Sequence, residues 1–325
     1  PEMSATTMHF ARRLATAAGI VALVGACGDT RGSESAAEAV SPPDTTPPRE
    51  FASPESAAAA LVVAAEKFDV PALKAILGGQ GAYLVETEDT VQDRTTATAF
   101  AAEARRKQRL ELDSTKTVAV LSVGPADWPM PIPIVEQDGK WAFDAAAGRD
   151  EVLRRRIGRN ELDAIQVCHG YVEAQRTYAL TRHDGATVNQ YAQRVISTPG
   201  RQDGLAWQRP DGKWDGPVGE EIARAIAEGY NDKYQPYHGY YFKILKGQGP
   251  AAPMGQLDFV VDSAMIGGFA LVAAPAEYLV TGVNTFIVSH EGVVYEKDLG
   301  DRTLEEFRKM ERYNPDSTWR AVPDS

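Results

Sequence analysis

Two aspartates, Asp258 and Asp262, have the residue type and spacing for cation binding or acid–base chemistry. They are four residues apart in a segment that predicts a β-strand, so a period of two places both side chains on one face. The alternative is a turn that begins at Asp262 and Ser263, with both carboxylates on the solvent-exposed surface. We retain Asp258 and Asp262 as weak candidates for a cation or acid–base site.

Histidine and cysteine form no metal-binding or nucleophilic pattern. Four histidines follow the N-terminal region, and they are far apart in the sequence: His169, His183, His238 and His290. Cys168 lies on the apolar stripe of a predicted helix, which favours a packed core thiol over a nucleophile. The sequence also has no Walker A, G-x-S-x-G, H-E-x-x-H or EF-hand motif. We predict no metal site and assign no catalytic residue.

The segment Gly247-Gln248-Gly249-Pro250-Ala251-Ala252 formally matches the dinucleotide motif G-x-G-x-x-A. A dinucleotide site needs this turn to open a helix whose N-terminus faces the pyrophosphate. Pro250 and Pro253 disfavour such a helix. The segment therefore predicts a β-turn, and we expect no cofactor.

Aromatic residues are densest just before the C-terminal β-rich region. Tyrosine has an apolar ring and a polar tip, so this group suits two roles, a layer that packs over a sheet or a surface that recognises a peptide or glycan. Both interpretations stay open. The candidate recognition patch consists of Tyr234, Tyr237, His238, Tyr240 and Tyr241.

The N-terminal region resembles a bacterial lipoprotein signal peptide, residues 1–26. Arg12 and Arg13 precede a short apolar run, and Val24-Gly25-Ala26-Cys27 resembles a lipobox. The run is about half the roughly 20 residues that a membrane-spanning helix needs. We expect lipidation at Cys27, a membrane attachment through the lipidated N-terminus, and a disordered Pro- and Ser-rich tether over residues 27–50. Gly28 favours the outer membrane, facing the periplasm, in a Gram-negative cell.

The charge balance excludes nucleic acid as a partner. The chain has 34 Lys and Arg against 45 Asp and Glu, a formal charge of −11, and removal of residues 1–26 leaves 32 − 44 = −12. A negative chain opposes the phosphate neutralisation on which nucleic-acid affinity depends. The densest basic cluster, residues 154–159, is interleaved with acidic residues, among them Glu161 and Asp163. We interpret it as a solvated helix face and expect other envelope proteins as partners.

Local patterns predict an α+β protein. Helices are expected from Pro54 to Lys67, from Pro71 to Leu77, from Asp150 to Arg182 and from Glu220 to Glu228. The third has a predicted buried stripe of Leu162, Ile165, Cys168, Val172 and Ala179. Hairpin strands are expected at 118–123, 132–135 and 140–143, and an antiparallel sheet at 239–245, 257–261, 268–274, 285–289 and 293–296. Thr303 begins a predicted capping box.

Ordered matches over most of the chain carry a family resemblance. They include Ile157-Gly158-Arg159-Asn160-Glu161-Leu162, Ser197-Thr198-Pro199-Gly200, Met265-Ile266-Gly267-Gly268-Phe269 and Lys297-Asp298-Leu299-Gly300. On these segments the chain resembles a family of exported, often lipoprotein-like bacterial proteins of unknown function (domain of unknown function 2950). The resemblance implies no activity. This chain has Met254 and Leu279 where the family pattern has glycine, which bears on the local turns.

Two looser likenesses extend the predicted organisation. The helix-pair-then-hairpin order of residues 51–148 is similar to NTF2-like domains, and the strands of residues 236–325 are similar to the globular domains of type IV pilins. A helical and turn-rich region, 149–235, lies between them. We expect a lipid-anchored envelope protein that acts by binding or assembly. The alternatives are an envelope hydrolase, or a small-ligand carrier with an NTF2-like pocket.

Overall fold

The computed structural model describes residues 46–230 and 235–323. The predicted signal peptide, Cys27, the tether as far as residue 45, and Tyr234 lie outside the described residues. The rest forms two compact units: an N-terminal unit of residues 46–87 and 93–152, and a C-terminal unit of residues 88–92, 153–230 and 235–323. Both combine helices with antiparallel sheets, so the predicted α+β class is confirmed. None of the helices in these two ranges is both long and apolar enough to cross a membrane.

The described residues form seven α-helices and sixteen strands. The helices are α1 (Pro54–Lys67), α2 (Val70–Leu77), α3 (Ala82–Val85), α4 (Thr90–Arg106), α5 (Ala145–Tyr178), α6 (Gly219–Glu228) and α7 (Thr303–Lys309). The first strands are β1 (Gln108–Leu112), β2 (Val118–Val123), β3 (Trp128–Pro129), β4 (Ile134–Gln137), β5 (Lys140–Phe143), β6 (Trp207–Gln208) and β7 (Trp214–Asp215). The later strands are β8 (Tyr240–Leu245), β9 (Gly247–Gln248), β10 (Leu257–Asp258), β11 (Val260–Val261), β12 (Ala264–Met265), β13 (Ala270–Pro275), β14 (Asn284–Ser289), β15 (Val294–Asp298) and β16 (Arg320–Ala321).

The helices of the N-terminal unit pack on a sheet of order β1-β2-β4-β5, with β3 also paired to β2. Ser53 caps α1 through a capping box with Ser56, as its sequence position predicts, and Pro54 occupies the first turn. The interior is filled by the buried side chains of Leu61, Leu121 and Phe143, among others.

The predicted Asp-Gly hairpin between β4 and β5 is confirmed. Asp138 and Gly139 have φ of 51° and 75°, the pattern of a type I′ turn, and β4 pairs antiparallel with β5. The sequence patterns did not predict helix α4 or strand β1, which the structure contains.

The C-terminal unit is built on an antiparallel sheet of order β16-β15-β14-β13-β8. Strand β13, which lies between β14 and β8, is buried along its whole length, because side chains cover both faces. Helix α5 supplies a large part of that cover, and the Tyr171 hydroxyl donates a hydrogen bond to the carbonyl of Ala270 on β13. The predicted strands at 239–245, 268–274, 285–289 and 293–296 are confirmed in this antiparallel sheet, whereas the strand predicted at 257–261 is wrong: it is divided into β10 and β11, which pair with β9 and β12 outside the sheet.

The predicted buried stripe of α5 is partly wrong. Cys168 and Val172 are buried, but Leu162 is 63% exposed, and Ile165 and Ala179 are half-buried. The helix also begins five residues before and ends four residues before the predicted limits. The buried face carries polar residues that a count of apolar residues leaves out: Asn160, Asp163 and Gln175.

The predicted capping box at Thr303 is wrong. A 3-10 turn, Gly300–Arg302, leads directly into α7, so Thr303 is already the first helical residue. Its hydroxyl donates to the carbonyl of Gly300 instead of capping the helix. Phe307 on α7 is buried, as its spacing predicts.

Candidate functional site

His238 lies in a tight turn at the start of the C-terminal sheet. His238 and Gly239 have φ of 50° and 76°, and Tyr237 and Tyr240 exchange backbone hydrogen bonds of 2.9 and 3.1 Å, which defines a type I′ turn. Gly239 is required for space as well, because a Cβ there would lie 2.6 Å from Nδ2 of Asn160. The turn therefore fixes where the imidazole of His238 projects.

The imidazole of His238 is held by a carboxylate from α5. Its Nδ1 is 2.6 Å from Oδ2 of Asp163, and the two side chains are 15% and 8% exposed. The ring also stacks on Tyr237 with centroids 4.2 Å apart. Among the described residues, no partner accepts from or donates to Nε2, the other ring nitrogen.

Asp89 is a second carboxylate next to the same turn, and it is only 1% exposed. Its Oδ2 accepts from the backbone N–H of Gly239 at 2.9 Å and from the hydroxyl of Tyr230 at 3.2 Å, while Oδ1 accepts from the N–H of Gln92 at 2.9 Å. Burial raises the pKa of Asp89. The hydrogen bonds and the nearby His238 lower this pKa, but the effect of burial is larger. Burial, and then the neighbouring Asp89, raise the pKa of Tyr230.

The N-terminal half of α5 fastens the loop that follows β13. Asn160 Nδ2 donates to the carbonyl of Thr281 at 2.9 Å, and Glu161 Oε1 accepts from the backbone N–H groups of Val283 and Asn284 at 3.0 and 2.9 Å. The amide oxygen of Asn160 is buried and has no hydrogen-bond partner within the described residues. The predicted solvated helix face holds for Arg154 and Arg159, which are exposed, whereas the acidic residues beside the cluster depart from it, since Asp163 is buried and Glu161 is half-buried.

The structure separates the members of the candidate recognition patch. Tyr237 and Tyr240 are buried, Tyr241 is half-buried, and His238 retains a small exposed fraction. Tyr230 stacks edge-on against Tyr237, with ring centroids 5.0 Å apart. Tyr230 and Tyr237 therefore contribute packing around His238.

The two candidate aspartates do not join this cluster. Asp258 is exposed and forms an ion pair with Arg312 at 2.5 Å. Asp262 and Ser263 have φ of 47° and 68° in the turn between β11 and β12, as the turn interpretation predicted. Among the described residues, no three His, Cys, Asp or Glu side chains are placed to hold a metal ion.

The other residues that the sequence singled out lie in the core, in a strand or at the surface. Cys168 is fully buried, and burial raises its pKa to about 12, so the thiol stays protonated at neutral pH. Gly247 and Gln248 form β9, and the element that follows is strand β10 instead of a helix. His169 lines an open cleft of about 260 Å³ with Glu173, Arg176 and Glu291.

The cluster around His238 has a defined chemical capacity. A carboxylate that is hydrogen-bonded to one imidazole nitrogen orients the ring, so the other nitrogen is placed for proton transfer or for binding a hydrogen-bond partner. Within the described residues, no hydroxyl or thiol side chain is hydrogen-bonded to this ring. The arrangement is therefore an orienting pair without a paired nucleophile.

Sequence reasoning missed Asp89 and Asp163 as members of this cluster. The hydrogen bonds that join them to the turn span 75 to 150 residues of sequence. The one local signal was the His-Gly pair, since a type I′ turn before a strand projects its first residue away from the sheet.

Comparison with known proteins gives a family and no characterised relative. The model of a family described as "Protein of unknown function (DUF2950)" matches residues 48–322. No curated protein and no solved structure matches the chain.

Proposed function

The chain belongs to the family described as Protein of unknown function (DUF2950), and we propose that it is a lipid-anchored bacterial envelope protein that acts by binding or assembly. The observation that carries this proposal is the lipobox-like Val24-Gly25-Ala26-Cys27 at the end of a short apolar run behind Arg12 and Arg13. Several acyl chains on Cys27 would hold the protein stably at a membrane. Gly28 supports the outer membrane as its destination.

A binding role is supported by the chemistry of the C-terminal unit. Asp89 accepts from three donors, Asp163 holds His238, and the thiol of Cys168 is buried and protonated. These hydrogen bonds hold the turn at His238 in one geometry and make the structure around it rigid. A rigid body that stands on a tether is suited to present a surface to another envelope component.

Two fold likenesses agree with an assembly role. A pilin-like C-terminal unit is supported by long helix α5, which contacts the antiparallel sheet at Ala270. An NTF2-like N-terminal unit is supported by its helices and its antiparallel sheet. Its interior contains the buried side chains of Leu61, Leu121 and Phe143, which favours binding at the surface over carriage of a small ligand inside.

The anchor is tested by fractionation of cells that produce the wild-type chain or a Cys27→Ala variant. The wild type is expected in the membrane pellet, and globomycin should cause its precursor to accumulate. The variant should leave the pellet. A Cys168→Ala variant is the matched control, since it removes the other cysteine and keeps the lipobox. Identical fractionation of wild type and Cys27→Ala would refute the anchor.

A hydrolase is the second candidate, and the pair of His238 and Asp163 is the observation that favours it. Nε2 of His238 has no partner among the described residues, so the ring could take a proton from water. Ester, amide and phosphate-ester probes test this role. Hydrolysis that is lost in His238→Gln and retained in His169→Gln supports a hydrolase, whereas no turnover of any probe supports binding.

A further inference from the structure

Strand β1 is the outer strand of the N-terminal unit's sheet, and its side chains are largely exposed. The sheet order β1-β2-β4-β5 gives β1 a partner on one side, β2, and none on the other side within the described residues. Gln108, Arg109, Glu111 and Leu112 are exposed, and Leu110 is half-buried. An edge of this kind is a template for a further strand.

The register with β2 identifies the backbone groups that point outward. Lys107 and Asp113 lie on the hydrogen-bonded side of the ladder, since Gly124 N–H donates to Lys107 and Asp113 N–H donates to Val118. Hydrogen-bonded pairs alternate along an antiparallel ladder, so Arg109 and Glu111 also bond to β2. The N–H and C=O groups of Gln108, Leu110 and Leu112 therefore point away from the sheet.

The charges along this edge have a self-complementary order. Lys107 and Arg109 precede Leu110, and Glu111 and Asp113 follow it at matching distances. In an antiparallel pair of two such strands centred on Leu110, each basic residue lies opposite an acidic one. A parallel pair in register would instead set like charges side by side, which is unfavourable.

We propose that a second copy of this chain docks on β1, antiparallel and with the two-fold axis at Leu110. The outward backbone groups of Leu110 then pair with those of Leu110 in the other copy, and those of Gln108 pair with those of Leu112. Arg109 lies opposite Glu111 at non-hydrogen-bonded positions, where side chains are closest. The result is one continuous antiparallel sheet across both copies, which is an isologous interface.

The core-facing side of β1 supports the same occupant. Leu110 and Leu112 lie opposite the buried Leu121 and Ala119 of β2, yet Leu112 remains 49% exposed. Leu112 lies on the core-facing side of the sheet but is about half exposed to water. The packed core on that side of the sheet therefore ends at this residue. A second β1 strand would extend that face and bring its own Leu110 and Leu112 against these side chains.

Sedimentation velocity of the full chain over a range of concentrations tests the proposal, with charge reversal as the probe. Within one chain Arg109 and Glu111 form an ion pair whose side chains are 51% and 53% exposed. An exposed pair of this kind contributes about 0–1 kcal/mol, so the unit should still fold after either substitution. Arg109→Glu alone and Glu111→Arg alone should each weaken the dimer by about tenfold, because like charges then face each other. An equimolar mixture of the two variants should restore association, since each chain then faces its opposite.

A backbone variant separates strand pairing from a general effect of charge. Gln108→Pro removes an outward N–H at the first residue of an edge strand, where proline is tolerated. It should weaken the dimer, and Gln108→Ala should not. Circular dichroism melting checks that each variant is folded. A wild-type chain that is monomeric at every concentration, or a mixture that does not recover the dimer, would overturn the proposal. Either result is independent of the lipid anchor.

Discussion

At the scale of single residues, the chemistry of the C-terminal unit is concentrated around His238. The sequence indicated this position through its neighbouring tyrosines, but the two carboxylates beside it come from distant segments. Asp163 lies on the buried face of α5, and Asp89 is contributed by the short segment 88–92. Neither has a local pattern that marks it as buried, because burial of a carboxylate depends on donors that only the folded chain supplies.

Asp89→Asn should destabilise the protein. The carboxylate receives three donors, whereas an amide has one acceptor oxygen and would place an NH₂ group against a backbone or hydroxyl donor. We expect a decrease of about 1–3 kcal/mol in the free energy of unfolding, measured by urea denaturation. Asp262→Asn is the control and should change stability little, because Asp262 is exposed and asparagine tolerates its positive φ. Equal effects of the two substitutions would contradict this account.

The pH dependence of the same variant has a definite sign. Burial raises the pKa of Asp89 above its ordinary 3.8, so the native state binds this proton more tightly than the unfolded chain does. The stabilisation from Asp89 is then full below that value and is lost as the pH rises through the folded pKa. Relative to wild type, the deficit of Asp89→Asn should therefore shrink as the pH rises from below 3.8 through the folded pKa. A deficit that grows over this range would show that the pKa is lowered instead.

Cys168 should react with thiol reagents only when the C-terminal unit opens. The thiol is fully buried, with a pKa of about 12, so both access and thiolate are lacking in the native state. In a Cys27→Ser chain, Cys168 is the only cysteine. Its labelling by a chromogenic disulfide should be slow in buffer and should rise in parallel with unfolding in urea. Complete labelling within the mixing time under native conditions would contradict this prediction.

At the scale of elements, local signals predicted helices and hairpins wherever caps and turns were informative. Ser53 and Gly229 limit α1 and α6, and Asp138-Gly139 joins β4 to β5. Each of these signals acts within a few residues, through a side-chain cap or a positive φ. The sequence was therefore sufficient for these boundaries.

Other elements were missed because their apolar pattern is weak. Helix α4 buries mainly alanine, Ala101 and Ala104, and is rich in threonine on its other positions. Strand β1 lies at a sheet edge, where a half-buried Leu110 is its only covered side chain. Tertiary packing, rather than local hydrophobic periodicity, sets both elements.

Two turns should be strained because a residue with a side chain occupies a left-handed backbone position that favours glycine. Met254 and Leu279 have φ of 64° and 61°, and both side chains are exposed, so they pay for a left-handed backbone without burying apolar surface. Met254→Gly and Leu279→Gly should each raise the free energy of unfolding by about 0.5–1 kcal/mol, since the backbone strain exceeds the entropy cost of glycine. Thermal and urea denaturation measure the effect.

A glycine at an exposed helical position is the matched control for these turns. Leu162 is exposed on α5, and Leu162→Gly should lower the free energy of unfolding by about 1 kcal/mol. The opposite signs at turn and helix separate backbone strain from the loss of an exposed side chain. Destabilisation by all three substitutions would remove strain as the explanation.

At the scale of the whole molecule, the account joins two α+β units to a proposed lipid anchor. The acidic balance, −12 after removal of residues 1–26, argues against nucleic acid, and the polar network around His238 argues for a rigid body. The self-complementary edge at β1 adds a route to assembly. All of these properties matter in the cell only if the protein is exported and held at a membrane.

Mass spectrometry of the N-terminal peptide from the protein purified out of its native membranes tests that claim most directly. The account predicts that the mature chain begins at Cys27 and that this residue carries a diacylglyceryl group on Sγ and an acyl group on its amine. An unmodified Cys27 thiol, or a product that retains residues 1–26, would contradict it.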